Sequence, residues 1–298
     1  MAIAAVPGYI NFEDDSDSPV DGMGSLRLLV VGMTAAGKSA LGNSILGAEE
    51  KLTTPFVSKL SPAPVTKSSE SKDAKVFDYH VSIVDTPGLF DTTNYIEDRN
   101  VLMRSISLVP PGPHAILLVV KVGRFTEEVV RGIEQMRQSF GKNSTRFLII
   151  VFTHVDSLFD DDDSDRDDEE GNRDATQTIA VKRALKLQQY VDRISGPCRA
   201  LLEDCSMRYV GVNNKFKSTS VENRQQVKQL LSTIDKLKKE NRQECYTQQR
   251  LDNEIKGGKE DEKQDPKGGK CSRCWRYFCC CCICMFCVWM FTKWSYHN

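Results

Sequence analysis

The run Gly32-Met33-Thr34-Ala35-Ala36-Gly37-Lys38-Ser39 has the spacing G-x4-G-K-[ST], and each position has a job in holding phosphate. Gly32 and Gly37 let the backbone turn tightly and come close to a ligand. The N–H groups between them, with the start of a following helix, form an anion cradle. Lys38 neutralises phosphate charge and Ser39 offers a hydroxyl to Mg²⁺. The candidate phosphate-binding set thus runs Gly32, Met33, Thr34, Ala35, Ala36, Gly37, Lys38, Ser39 and Ala40.

A second motif, Val81-Ser82-Ile83-Val84-Asp85-Thr86-Pro87-Gly88, ends an apolar run in an acid. Asp85 is placed to orient a Mg²⁺ hydration shell, and Gly88 to offer its N–H to a terminal phosphate and to hinge a switch loop. A third, Phe152-Thr153-His154-Val155-Asp156, ends another apolar run. A carboxylate there can accept from guanine N1–H and the 2-amino group. Adenine has no such donor pair, so Asp156 would be left unpaired against it. The usual N-K-x-D pattern is altered to Thr153-His154-x-Asp156. Asn213 and Asn214, after Arg208–Val212, suit the far face of a base.

These motifs need a scaffold that brings strand ends together. Leu26–Val31, Val76–Val84, Ala115–Val122, Arg146–Phe152 and Met207–Val212 read as strands. Lys38–Leu46, Glu127–Phe140, Ala175–Ile194 and Val221–Leu237 repeat apolar residues at helical spacing. The alternation predicts right-handed βαβ crossovers. The expected fold is α/β, a P-loop NTPase with a mostly parallel central sheet and helices on both faces.

Taken together, the chain resembles the AIG1-type GTPases, the GTPases of immunity-associated proteins. The resemblance rests on the P-loop followed by Gly42-Asn43-Ser44-Ile45-Leu46-Gly47, on Val65-Thr66-Lys67, and on Asp85–Phe90 reading D-T-P-G-L-F. It rests also on Pro111-Gly112-Pro113-His114-Ala115, on Gly123-Arg124-Phe125-Thr126-Glu127-Glu128, and on the altered base motif with Asn214. It implies a Ras-like G domain binding GTP and GDP with Mg²⁺, with an added helix near the Pro111 box. It implies Thr66 as the switch threonine on the metal beside Ser39 and Asp85, with Ser68 and Ser69 as alternatives. It places His154 by the base and Thr53 near the nucleotide.

Leu89 follows Gly88 where Ras-like enzymes place a water-orienting glutamine. An isolated copy is therefore expected to hydrolyse slowly, and an arginine supplied in trans contributes about 10³–10⁵-fold in such enzymes. By resemblance to dimer-activated relatives that pair their nucleotide faces, Arg104 is the candidate catalytic arginine, with Arg124 as alternative. A homodimer or oligomer follows. A GTP-dependent oligomeric scaffold without significant hydrolysis is the other reading.

The net charge of −1 conceals segregation. Residues 1–24 hold five acids and no base, and residues 160–174 hold ten acids against two arginines. The first is expected to be a disordered acidic leader and the second an acidic loop inside a G domain over 25–240. The leader has no signal-peptide or myristoylation pattern, and the C-terminus no prenylation box. Eight of eleven cysteines fall between Cys271 and Cys287, which excludes a disulfide-stapled secreted domain. Residues 241–270 read as a charged linker.

The tail, 271–298, admits zinc binding, a buried helix, or membrane anchoring. Anchoring is favoured: Tyr277–Thr292 is sixteen uncharged residues, roughly 24 Å as helix and short of the roughly 30 Å hydrocarbon core unless extended through Tyr296. Lys267, Lys270, Arg273 and Arg276 flank it without acids, suiting anionic cytoplasmic lipid. The cysteines are candidates for palmitoylation. The expected location is the cytoplasmic face of an intracellular membrane, with a transmembrane or palmitoylated anchor. No nucleic-acid partner is expected.

Overall fold

The computed structural model describes residues 24–58, 66–91, 94–123, 127–159 and 173–254. The acidic leader up to residue 23, residues 160–172 of the acidic stretch, Arg124, and everything from 255 onward, including the cysteine-rich tail, lie outside the described residues.

Six strands form one sheet: β1 (Gly24–Val31), β2 (Glu70–Val76), β3 (Tyr79–Asp85), β4 (Ala115–Lys121), β5 (Leu148–Thr153) and β6 (Tyr209–Val212). Their order is β2-β3-β1-β4-β5-β6, with β2 antiparallel to β3 and every other pair parallel. Strand side chains alternate between faces, and the buried residues sort accordingly. Leu28 and Val30 of β1, Leu117 and Val119 of β4, and Ile149 and Val151 of β5 belong to one core. Leu29, Val31, Ile116, Leu118, Leu148 and Ile150 belong to the other. Both faces are therefore covered, as a parallel sheet requires.

Helix α1 (Lys38–Leu46) presents Leu41 and Ile45, one turn apart, to the first face. The last long helix, Val221–Glu240, adds Val227, Leu230, Leu231, Ile234 and Leu237 at helical spacing, and Ser220 caps it by accepting from the Asn223 N–H. The opposite face carries α2 (Tyr95–Ser107), α3 (Glu127–Phe140), α4 (Arg173–Asp192) and α5 (Gly196–Asp204), contributing Leu102 and Ile106, Ile133, Met136 and Phe140, Leu187 and Val191, and Leu201 and Leu202. Numbered in order, Val221–Glu240 is α6.

Several boundaries differ from the sequence expectation. The strand expected over Val76–Val84 is a hairpin, β2 and β3, turning at Phe77, whose φ is 52°. The helix α2 has no clear apolar repeat in the sequence: among its described side chains the buried ones are Leu102 and Ile106 with the polar Asp98 and Ser105. The helix expected over Ala175–Ile194 starts at Arg173, inside the acidic stretch, and a separate α5 follows it.

The domain also continues past residue 240. Tyr246 and Leu251 are fully buried, where a charged linker was expected. The Tyr246 hydroxyl donates to Phe140 O at 2.7 Å, and its ring lies 5.9 Å and 5.6 Å from those of Phe140 and Phe147. One buried aromatic overrides the polar composition around it; removing it would cost roughly 3–5 kcal/mol.

Candidate functional site

Because β1, β3, β4, β5 and β6 run parallel, their C-terminal ends share one edge of the sheet, the usual place for a ligand in an open α/β fold. The loops leaving that edge carry Gly32, His154 and Asn213, and Asp85 ends β3 there.

The phosphate cradle leaves β1 at Gly32, with φ of 143°, and enters α1 through Gly37, with φ of 94°. A Cβ at Gly32 would overlap the Val119 carbonyl, so the turn requires glycine. Ala35 also lies in the left-handed region at φ 60°. Lys38 is 7% exposed, and its Nζ donates to Gly32 O at 2.9 Å and Met33 O at 2.8 Å. Burial lowers its pKa to about 8, opposed by the charges of Asp85 and Asp91.

Next to it, three oxygens converge. Ser39 Oγ donates to Asp85 Oδ2 at 2.5 Å, Thr66 Oγ1 lies 3.3 Å from Ser39 Oγ, and Thr66 Oγ1 reaches Asp85 Oδ2 at 3.5 Å. Burial raises the Asp85 pKa, opposed by the Ser39 hydrogen bond and by Lys38. Asp85 Oδ1 is buried with no hydrogen-bond partner among the described residues. An unpaired buried carboxylate oxygen beside two hydroxyls suits a hydrated divalent cation, so the residues present fit Mg²⁺. The geometry favours Thr66 over Ser69, whose Oγ lies 2.7 Å from Ser105 Oγ.

The segment after Asp85 is fastened to the cradle. Thr86 Oγ1 donates to Val30 O at 2.8 Å and Leu89 N donates to Gly32 O at 3.1 Å. Leu89 is 1% exposed; its side chain is a core anchor. Gly88 packs so closely on Thr34 that a Cβ there would overlap the Thr34 hydroxyl.

The base end is tied to the cradle through Thr153, whose Oγ1 donates to Ala36 O at 2.7 Å, and Asn214, whose Nδ2 donates to Gly37 O at 3.2 Å. His154 sits in the left-handed region at φ 57°, with Nδ1 3.1 Å from Thr153 Oγ1. Burial, with Lys121 and Lys215 nearby, lowers its pKa, opposed by the Asp156 charge. Asp156 Oδ2 pairs with Lys215 Nζ at 2.6 Å, while Oδ1 is buried with no hydrogen-bond partner among the described residues. Asn213 turns inward on its own loop, accepting from Lys215 N at 2.9 Å.

Two expected residues stand apart from this assembly. Thr53 is exposed in the loop after α1, and none of the cluster's hydrogen bonds among the described residues reaches it. Arg104 is exposed on α2, its Nε donating to Asn100 O of its own helix at 3.1 Å.

Three contributors were missed in the sequence. Lys215 follows Asn214 directly and pairs with Asp156. Asp91 comes just after D-T-P-G-L-F and accepts from Thr34 N–H at 2.9 Å. Asn43 exchanges hydrogen bonds with the Phe56 backbone, at 2.9 Å from Nδ2 and 2.7 Å to Oδ1, and so fixes the chain at Phe56.

Known proteins are similar to this chain. Human GTPase IMAP family member 8 is 34% identical over 220 residues, 72% of this chain but 28% of its own length. Immune-associated nucleotide-binding protein 9 of Arabidopsis thaliana is 31% identical over 238 residues, 79% of this chain and 61% of that one. The chain thus spans less than two thirds of either relative. A solved structure of Arabidopsis thaliana Toc33 in complex with GDP and Mg²⁺ is 20% identical, covering 72% of this chain and 86% of that one with a TM-score of 0.45. The AIG1 family profile matches residues 26–179 and 175–265, which is most of the sequence, and the chain belongs to the AIG1 family.

Proposed function

We propose that the chain binds GTP and GDP with Mg²⁺ at this edge of the sheet and hydrolyses GTP slowly, with a second copy completing the catalytic site. The observation that carries the reading is the pair of buried, unpartnered carboxylate oxygens flanking one P-loop, Asp85 Oδ1 and Asp156 Oδ1. Buried polar atoms normally find partners. One of these stands where a divalent cation fits, and the other where a guanine donor pair fits. In such a complex the cradle from Gly32 to Ala40 faces phosphate, Ser39, Thr66 and Asp85 hold Mg²⁺, and Thr153, His154, Asp156, Asn213 and Asn214 surround the base. Bound Mg²⁺ would neutralise phosphate charge.

Slow hydrolysis is supported by Leu89, whose buried side chain can neither donate nor accept a hydrogen bond to water. Arg104 is exposed and outside its own site, so its use requires a partner copy meeting this one across the nucleotide face. The cysteine-rich tail and its basic flank support attachment to the cytoplasmic side of a membrane.

The test is single-turnover GTP hydrolysis with Mg²⁺ across a range of protein concentrations, with ATP as competitor. Turnover per molecule should rise with concentration, Arg104→Ala should remove the rise, and ATP should not compete. Flat, near-zero turnover with tight GTP binding would favour the non-hydrolysing scaffold instead.

A further inference from the structure

We infer that Asp91 is a specificity-determining residue that holds the post-Asp85 segment on the P-loop and disfavours a terminal phosphate, so that the site prefers a nucleoside diphosphate to a triphosphate. The inference rests on the nucleotide reading above.

Its basis is a carboxylate placed where an anion cradle expects a ligand. Thr34 N–H donates to both Asp91 oxygens, at 2.9 Å and 3.2 Å, and the Thr34 hydroxyl donates to Oδ2 at 2.5 Å. Three hydrogen bonds from one P-loop residue therefore end on one side chain fifty-seven positions away. The backbone is shaped to deliver it. Leu89 and Phe90 sink into the core, and Phe90 adopts φ 70°, a left-handed conformation that a bulky aromatic avoids unless its surroundings impose it. That turn sends residue 91 back over the P-loop. Gly88 is what permits the closure, since a Cβ there would overlap both Thr34 Oγ1 and Asp91 Oδ2.

Asp91 also acts electrostatically on Lys38, together with Asp85. Lys38 is the residue that a P-loop extends to the β- and γ-phosphates. A γ-phosphate arriving there brings further negative charge to a place that already holds a carboxylate, and like charges at short range are unfavourable. A diphosphate ends one phosphate earlier and leaves the Asp91–Thr34 contact intact. The contact is therefore a difference between the two ligands, which a ligand needs in order to shift a conformation at all.

Affinities of the full-length protein for GDP and GTPγS, measured with Mg²⁺ by competition against a fluorescent GDP, test this. Asp91→Asn keeps an acceptor for the Thr34 N–H and removes the charge. The ratio Kd(GTPγS)/Kd(GDP) should fall about tenfold, or about 1.4 kcal/mol. Thr34→Val loses the hydroxyl bond but keeps the N–H bond, and the ratio should fall less, about threefold. A ratio that is unchanged, or that rises, in Asp91→Asn overturns the inference even where both affinities move together, as a merely structural role would have it. Wild-type protein that binds neither nucleotide overturns the underlying reading instead.

Discussion

The two ends of the site treat their polar groups differently. At the phosphate end the donors are already engaged: Lys38 with two carbonyls of its own loop and the Thr34 N–H with Asp91. At Asp156, and at Asp85, an acceptor is buried with nothing to accept from among the described residues. On the proposed reading, anion binding would be an exchange of partners, whereas base and cation binding would add bonds to Asp156 Oδ1 and Asp85 Oδ1. Exchange couples the ligand to protein conformation, because something must let go. Addition discriminates, because a ligand without the matching donor leaves the orphan in place.

The sharpest way to break this contrast is at Lys38. Truncating one partner of a buried charged contact costs about 2–5 kcal/mol. Lys38→Ala should therefore weaken GTP and GDP binding by about 30- to 4,000-fold, read by fluorescence titration. Retained affinity would mean that the cradle N–H groups alone hold the phosphates. At the other end, Asp156→Asn replaces one acceptor oxygen with a donor facing the guanine donors. Guanine-over-adenine preference should fall by about 10²-fold, measured by GDP and ADP competition, with much less effect on a ligand's phosphate contacts. An equal loss for GDP and ADP would place Asp156 in the scaffold.

A pH titration separates the ends more gently. Burial holds Lys38 at about 8 in the free protein, and phosphate beside it raises that value. Below pH 8 the amine is charged in both states and affinity is constant. Above it the free site must take up a proton on binding, so affinity falls by up to about tenfold per pH unit. GDP binding should be level from pH 7 to about 8 and then decline; a flat profile to pH 9 would show that phosphate contact does not depend on the Lys38 charge.

The phosphate end was also the more legible in sequence. The G-x4-G-K-[ST] spacing fixes backbone geometry, and its Gly32 and Gly37 do adopt positive φ. Asp85 was readable because it ends an apolar strand, and the parallel sheet followed from strands alternating with helices. Long-range partnerships were harder. Nothing local announces that Asp91 folds back on Thr34, because that depends on Phe90 taking a left-handed turn into the core. The helix α2 was hidden by a largely polar face, and Tyr246 by a charged neighbourhood; both are specified by what they pack against. Thr53 was carried over from resemblance alone, and it lies exposed, away from the cluster's hydrogen bonds.

The smallest expected effect concerns Lys215, and it bears on what holds Asp156 ready. The ion pair is short at 2.6 Å, yet the Lys215 side chain is 74% exposed against 25% for Asp156. Pairs of that kind contribute about 0–1 kcal/mol, because solvent screens them and a long side chain must be ordered. If the main role of Asp156 is to meet the base through its unpartnered oxygen, Lys215→Ala should change GDP affinity by no more than about fivefold, and added salt should narrow the difference from wild type further. A loss near that of Asp156→Asn would instead mean that Lys215 sets the carboxylate's orientation. The base end would then share the exchange character of the phosphate end, since its acceptor would depend on a partner within the chain.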